Sequence, residues 1–187
     1  MIEKVFKTTS GKLSVKIPST LNEVTIGQMI QLQESDALNN LDAISILSGI
    51  PIEELQNVKN INDFGVFADA VLSLSHQIKL LYNSDTIPVA ITFQTDKDDV
   101  VVKVNNNLSV EPAGAFMAAS EIIADEINEH IKIHGEENWI EHFNPSLKAC
   151  CNVLAHYFYC RVTGQKYNEY KAEEFSERIK QLRVTGL

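Results

Sequence analysis

Only 3 of the 187 residues are cysteine, and they stand at Cys150, Cys151 and Cys160. An odd number, two of them adjacent and no CxxC, excludes the disulfide framework of a small secreted domain and points to a reducing compartment. Proline and glycine are also scarce, 5 and 8 residues, so there is no Pro/Gly-rich linker, and the chain shows no internal repeat and no low-complexity tract. Positive charge is the third shortage: 16 Lys and Arg stand against 25 Asp and Glu, a formal net charge of -9. With no run of basic residues, a nucleic-acid backbone or an anionic membrane is excluded as the main partner, since either demands a basic surface. Long apolar runs are missing as well. The start, MIEKVFKTTSGK, has no apolar signal core and charges interrupt every stretch that could span a bilayer, so neither secretion nor a membrane span is expected.

What is present is ordinary globular material. Hydrophobic residues make up 44% and charged residues 22%, enough to bury a core without metal or disulfide staples. The patterning predicts a mainly α protein with minor β: a bundle of about six helices carrying two short β-hairpins. A single domain over 1–187 is expected, divided into a hairpin and lead-in (1–24), a helical half (25–83), a second hairpin (86–107) and C-terminal helices (109–187).

Period-two alternation of Leu13, Val15 and Ile17 after Ser10-Gly11 gives the first hairpin, ended by Pro18. Thr25 and Gln28 have capping-box spacing and open a helix over 26–34. Another follows over 41–48, closed by Gly49, and Pro51 starts a turn through Leu55. Asn60 is the expected cap of a helix over 61–82, with Phe64, Phe67, Val71, Leu74, Ile78 and Leu81 as its buried stripe. Thr86–Phe93 and Asp99–Val104 form the second hairpin around TDKDD and end at Asn105-Asn106-Asn107. Ser109 is the expected cap of a helix reaching His134 before Gly135, with Phe116, Ala119, Ile123, Ile127 and Ile131 facing the core. Asn144-Pro145 starts the next, to Val162 before Gly164, burying Leu147, Cys151, Leu154 and Phe158. A last helix over 168–182 buries Phe175, Ile179 and Leu182.

Chemistry is harder to find. His130 and His134 lie four apart on one helix face with Glu126 a turn earlier and His142 nearby, a set that could ligate a metal. HEXXH is absent, however, and histidines near a helix C-terminus also interact favourably with its dipole. The three cysteines fall in an apolar helix, where cysteine acts as a small hydrophobe, and His156 is turned away from Cys150 and Cys151. The acidic groups Glu53-Glu54, Asp96-Asp98-Asp99 and Glu173-Glu174 sit in turns or on charged faces. No P-loop, dinucleotide fingerprint or GxSxG is present. No catalytic residue and no cofactor is assigned, and no metal beyond the His130, His134 and Glu126 alternative.

Aromatics remain. Trp139 and Phe143, and Tyr157, Tyr159 and Tyr170, cluster in two places, and rings on opposite sides of one helix cannot all face inward. They are either anchors for a protein partner or a small core under the terminal helix. These five are the candidate partner-binding residues.

The segment Leu21-Asn22-Glu23-Val24-Thr25-Ile26-Gly27-Gln28 resembles one found in small tailed-phage proteins, an N-terminal strand followed by L-x-E-I-T-L-x-Q and a short helix. Ser48-Gly49-Ile50, Glu53, Ile61 and Asp63 continue in similar order. Ala113-Gly114-Ala115-Phe116 and Gly164-Gln165-Lys166-Tyr167 are similar further on. The resemblance is to phage morphogenesis proteins likened to tail assembly chaperones, including those of phages infecting Bacteroidales. It implies a non-enzymatic, protein-binding role in virion assembly, as a tail assembly chaperone or a structural adaptor. The partners would be other phage structural or tail proteins, with no nucleic acid and no membrane, and a homo-oligomer is left open. The place would be the host bacterial cytoplasm during assembly, or the virion. The alternatives are a metal-dependent enzyme or regulator built on His130 and His134, and a bacterial protein-interaction domain.

Overall fold

The computed structural model describes residues 1–34, 39–81, 87–95, 98–105 and 111–186. Among them are seven α-helices and two antiparallel two-stranded sheets, the mainly α, minor β class that the patterning predicts. The contacts group the chain into two compact units: Met1–Ile87 together with the residues from Arg183 onward, and Pro88–Leu182.

In the first unit β1 (Ile2–Lys7) and β2 (Lys12–Ile17) pair in the register Ile2↔Ile17 to Lys7↔Lys12. The alternation puts Phe6, Val15 and Ile17 inside. Helix α1 (Ile26–Glu34) opens on the predicted capping box: the Gln28 amide donates to Thr25 Oγ1 at 3.2 Å, and the Thr25 amide donates to Gln28 Oε1 at 3.0 Å. Gln28 also donates from Nε2 to the Leu47 carbonyl at 2.9 Å, so it ties α1 to the end of α2 (Asn40–Ser48). Gly49 ends α2 with φ 70°, a left-handed cap that favours glycine. The turn after Pro51 is a short helix, α3 (Ile52–Leu55).

The long helix differs at its start. Asn60 accepts from the Asn62 amide, but the first turn, Ile61–Phe64, is 3₁₀ and α4 begins at Gly65, running to Leu81. The predicted stripe turns inward at Phe64, Phe67 and Leu74, joined by Ala70, while Val71 and Ile78 are half-buried. Phe6 meets Phe64 and Phe67 at ring separations of 4.8 and 5.8 Å. The chain end returns to this unit: the Val184 amide donates to the Val24 carbonyl, and Val184 is buried.

In the second unit β3 (Ala90–Phe93) pairs with β4 (Val100–Lys103), burying Ile91, Phe93 and Val102. Phe93 lies 5.4 Å from Phe158 and 5.8 Å from Phe175, which places the sheet against α6 (Leu147–Thr163) and α7 (Glu169–Gln181). Helix α5 (Ala113–His134) packs beside α6. Asn168 caps α7 through the Lys171 amide, and α7 buries Phe175 and Ile179 as predicted; Leu182, just beyond its end, is half-buried. The expected Ser109 cap, the Asn106-Asn107 stop, Thr86, Tyr82, Asp96 and the side chain of Leu81 lie outside the described residues.

Two expectations are corrected here. The start of α6 is later than Asn144-Pro145: Ser146 is the cap, its hydroxyl accepting from the Ala149 amide at 3.1 Å. The buried side of α5 is also different. Ala115 and Ala118 are the buried residues, while Phe116 is 57% and Ile123 47% exposed. Ala119, Ile127 and Ile131 of the predicted row are half-buried, so that row lies along the edge of the packed face, while small side chains, which let helix backbones approach closely, hold its centre. Gly114 shows how tight that side is, since a Cβ there would lie 2.6 Å from Tyr167 Cε1.

Candidate functional site: an apolar groove between α5 and α6

The outward row of α5 does not stand alone. Phe116, Ala119 and Ile123 face Val153, Leu154 and Tyr157 of α6 across a groove of about 270 Å³. Each helix supplies residues at spacings of three and four, the geometry that puts side chains on one face. One end of the groove is firmly built. The Tyr157 hydroxyl donates to the Asn105 carbonyl at 3.0 Å and accepts from the Asn105 amide at 3.1 Å. The Arg161 guanidinium lies 4.8 Å over the Tyr157 ring, donates to the Lys103 carbonyl and pairs with Glu111. The charges of Arg161 and Glu111 are therefore spent on each other, and the groove presents carbon.

The five aromatics predicted as partner anchors are not brought together. Tyr157 is half-buried and lines the groove. Tyr159 is 3% exposed and belongs to the core, packing on Phe175 while its hydroxyl donates to Gln165. Tyr170 is 78% exposed on the first turn of α7. Trp139 opens the 3₁₀ turn Trp139–His142 and Phe143 follows it; their rings pair edge-on at 5.6 Å and both are half-buried. The residues missed are Phe116, Ile123 and Val153. A signal was available: α5 carries a second apolar row made of small residues, Ala115 and Ala118, and small residues mark the side of closest packing.

The histidine face has a structural occupation. The His130 Nδ1 donates to the Glu126 carbonyl at 2.8 Å, since a carbonyl only accepts, and its Nε2 accepts the Asn144 amide at 3.3 Å. The Glu126 carboxylate accepts from both the amide and the hydroxyl of Ser146, at 2.8 and 2.9 Å. Glu126 and His130 thus bolt the end of α5 to the start of α6, with the carboxylate at a helix N-terminus where negative charge is favoured. His134 stacks on His142 at 4.6 Å. Among the described residues no three His, Cys, Asp or Glu side chains are grouped to hold a metal ion, so His130, His134 and Glu126 are not drawn together as ligands.

The thiols are held in the unreactive form. Burial pushes the Cys150 thiol up, with the charge of Glu126 adding to it, and pushes Cys151 up to about 11. Cys160 is raised by burial as well. The thiolate is the nucleophile, so these positions are disfavoured for covalent chemistry. His156 is buried and bonded through Nδ1 to the Tyr167 hydroxyl at 2.9 Å. The acidic pairs Glu53-Glu54 and Glu173-Glu174 are exposed on α3 and α7, and Asp98-Asp99 is exposed before β4.

No family model, no curated protein and no solved structure matches the chain. The groove therefore stands on its own geometry. No helix among the described residues is long and apolar enough to cross a membrane.

Proposed function

We propose that this chain is a non-enzymatic protein-binding protein, and that the groove between α5 and α6 is where it binds. The observation that carries the reading is the exposed apolar row of α5 along the groove: Phe116 at 57% and Ile123 at 47% exposure, with Ala119 between them. A large apolar row beside a preformed groove is the arrangement used to seat a helix of another protein. The tailed-phage setting is proposed on the resemblance of Leu21–Gln28 and the segments after it to phage morphogenesis proteins. In that setting the chain acts as a tail assembly chaperone or as an adaptor, and covering an apolar segment of a tail protein would suppress its aggregation.

The test has two readouts. The genes flanking the coding sequence should be those of phage morphogenesis; a neighbourhood without any of them overturns the phage setting. Mass spectrometry of purified virions then separates the two roles, with the adaptor present in stoichiometric amount and the chaperone missing.

A further inference from the structure

We infer that two copies of this chain pair through β3, edge to edge and antiparallel, making one continuous sheet about a two-fold axis at Ile91. The inference stands apart from the groove reading, since it uses a different surface. Residues of an antiparallel pair alternate: one is hydrogen-bonded across the ladder, and the next points its N–H and C=O away from it. The Val104 amide donates to the Val89 carbonyl at 2.9 Å. With Ile91 opposite Val102 and Phe93 opposite Val100, that bond fixes the phase of the ladder. Ala90 and Thr92 therefore turn their amides and carbonyls to the open side of β3, while Lys103 and Asn105 turn theirs to the open side of β4.

The two edges differ. On the β4 side the Lys103 carbonyl accepts from Arg161 at 3.0 Å, and the Tyr157 hydroxyl bonds the Asn105 amide and carbonyl at 3.1 and 3.0 Å. On the β3 side no hydrogen bond reaches the Ala90 or Thr92 backbone among the described residues. An open strand edge is a template for another strand, and proteins guard such edges with charge. Here the stretch from Ile87 to Thr95 holds no charged residue. Pro88, which has no N–H, limits the pairing on one side.

The occupant is a second copy because β3 is complementary to itself. Set antiparallel about Ile91, Ala90 of each copy lies opposite Thr92 of the other, so every outward N–H meets an outward C=O. Val89 shares the face of Ile91 and Phe93 by alternation, yet it is 81% exposed. In this register it falls opposite Phe93 of the second copy, and aromatic and β-branched side chains are favourable cross-strand partners. The formal net charge of -9 does not oppose the pairing locally, since neither strand sets a charge against its twin.

Sedimentation velocity of the full chain, from micromolar to near-millimolar concentration, should show monomer giving way to dimer by mass action. Thr92→Pro removes an outward N–H and no ladder bond, a change that edge strands accept. It should hold the chain monomeric with its circular dichroism unchanged. The register has its own test. Opposite residues of a hydrogen-bonded antiparallel pair have Cα atoms about 5.5 Å apart, within reach of a disulfide. Ala90→Cys mixed with Thr92→Cys should therefore cross-link on oxidation, several-fold more than either variant alone or the unsubstituted chain on a non-reducing gel. A chain that stays monomeric throughout the range overturns the inference. So does a dimer that Thr92→Pro leaves intact or that Phe116→Glu dissociates. If Thr92→Pro unfolds the chain, the cysteine mixture decides, and cross-linking no greater than in the single variants sinks the pairing.

Discussion

Single residues carry several of the joints in this molecule, and their contacts give sharp expectations. Gly114 is the clearest. A methyl group there would lie within 2.8 Å of two Tyr167 ring carbons, and that ring is held by His156 at 2.9 Å. Gly114→Ala must push the ring aside, and overpacking of this kind costs about 1–3 kcal/mol. Gly65 is the control: it has an ordinary φ of -54°, and a methyl group there would meet open space. Gly65→Ala should therefore stabilise by about 0.4–1 kcal/mol through the unfolded chain. Urea melts of the two variants should move in opposite directions.

His156 gives the pH dependence at the same scale. Burial holds its imidazole below the usual value, with Glu173 and Glu169 opposing in part. The folded chain keeps the ring neutral while the unfolded chain takes up a proton near the ordinary value of 6.5. Below that pH the unfolded state binds more protons, so stability declines as pH falls until the folded-state value is passed. Chemical melts between about pH 7.5 and 5.5 should show this decline, and His156→Gln should flatten it.

At the scale of elements, legibility in the sequence depended on whether the signal was local. The Thr25–Gln28 box, the alternation of Val15 and Ile17, and the Gly49 and Gly164 stops all involve neighbours within a few residues. They were readable because caps and turns are satisfied by the chain nearby. Gln28 reaches further, to the Leu47 carbonyl at 2.9 Å. Gln28→Ala should thus cost more than the roughly 1 kcal/mol expected of Thr25→Ala, as thermal denaturation of both variants would show.

Helix α5 is where reading by period failed. Both of its apolar rows fit a period of 3.6, and the rule that bulky residues face the core selected Phe116 and Ile123. Packing against α6 and Tyr167 instead took the small row, because Gly114, Ala115 and Ala118 allow the closer approach. Phe116→Ser should accordingly change stability by less than about 0.5 kcal/mol, while Phe158→Ala, at a ring 1% exposed, should cost about 3–5 kcal/mol. Comparing the two by urea denaturation checks which face of the second unit is core. The start of α6 failed for a related reason: Ser146 rather than Asn144 is the cap, and Glu126, 20 residues away, holds the Ser146 amide and hydroxyl. No local window contains that partner.

For the molecule as a whole, charge is the property that composition sets directly. With a formal net charge of -9 and no basic run, little counterion release is available to drive binding to a phosphate backbone. An electrophoretic mobility assay with duplex DNA near physiological salt should show no retarded band.

The sequence by itself determined the mainly α, minor β class, the positions of both hairpins, most helix boundaries and the acidic balance, because each follows from periodicity, capping or a count of residues. Only the tertiary structure decided which apolar row of α5 is buried, that Glu126 and His130 fasten α6, and that Tyr157 closes one end of a groove. Those outcomes depend on side chains meeting across long stretches of chain, where size and hydrogen-bond geometry choose among faces that hydrophobicity alone leaves equivalent.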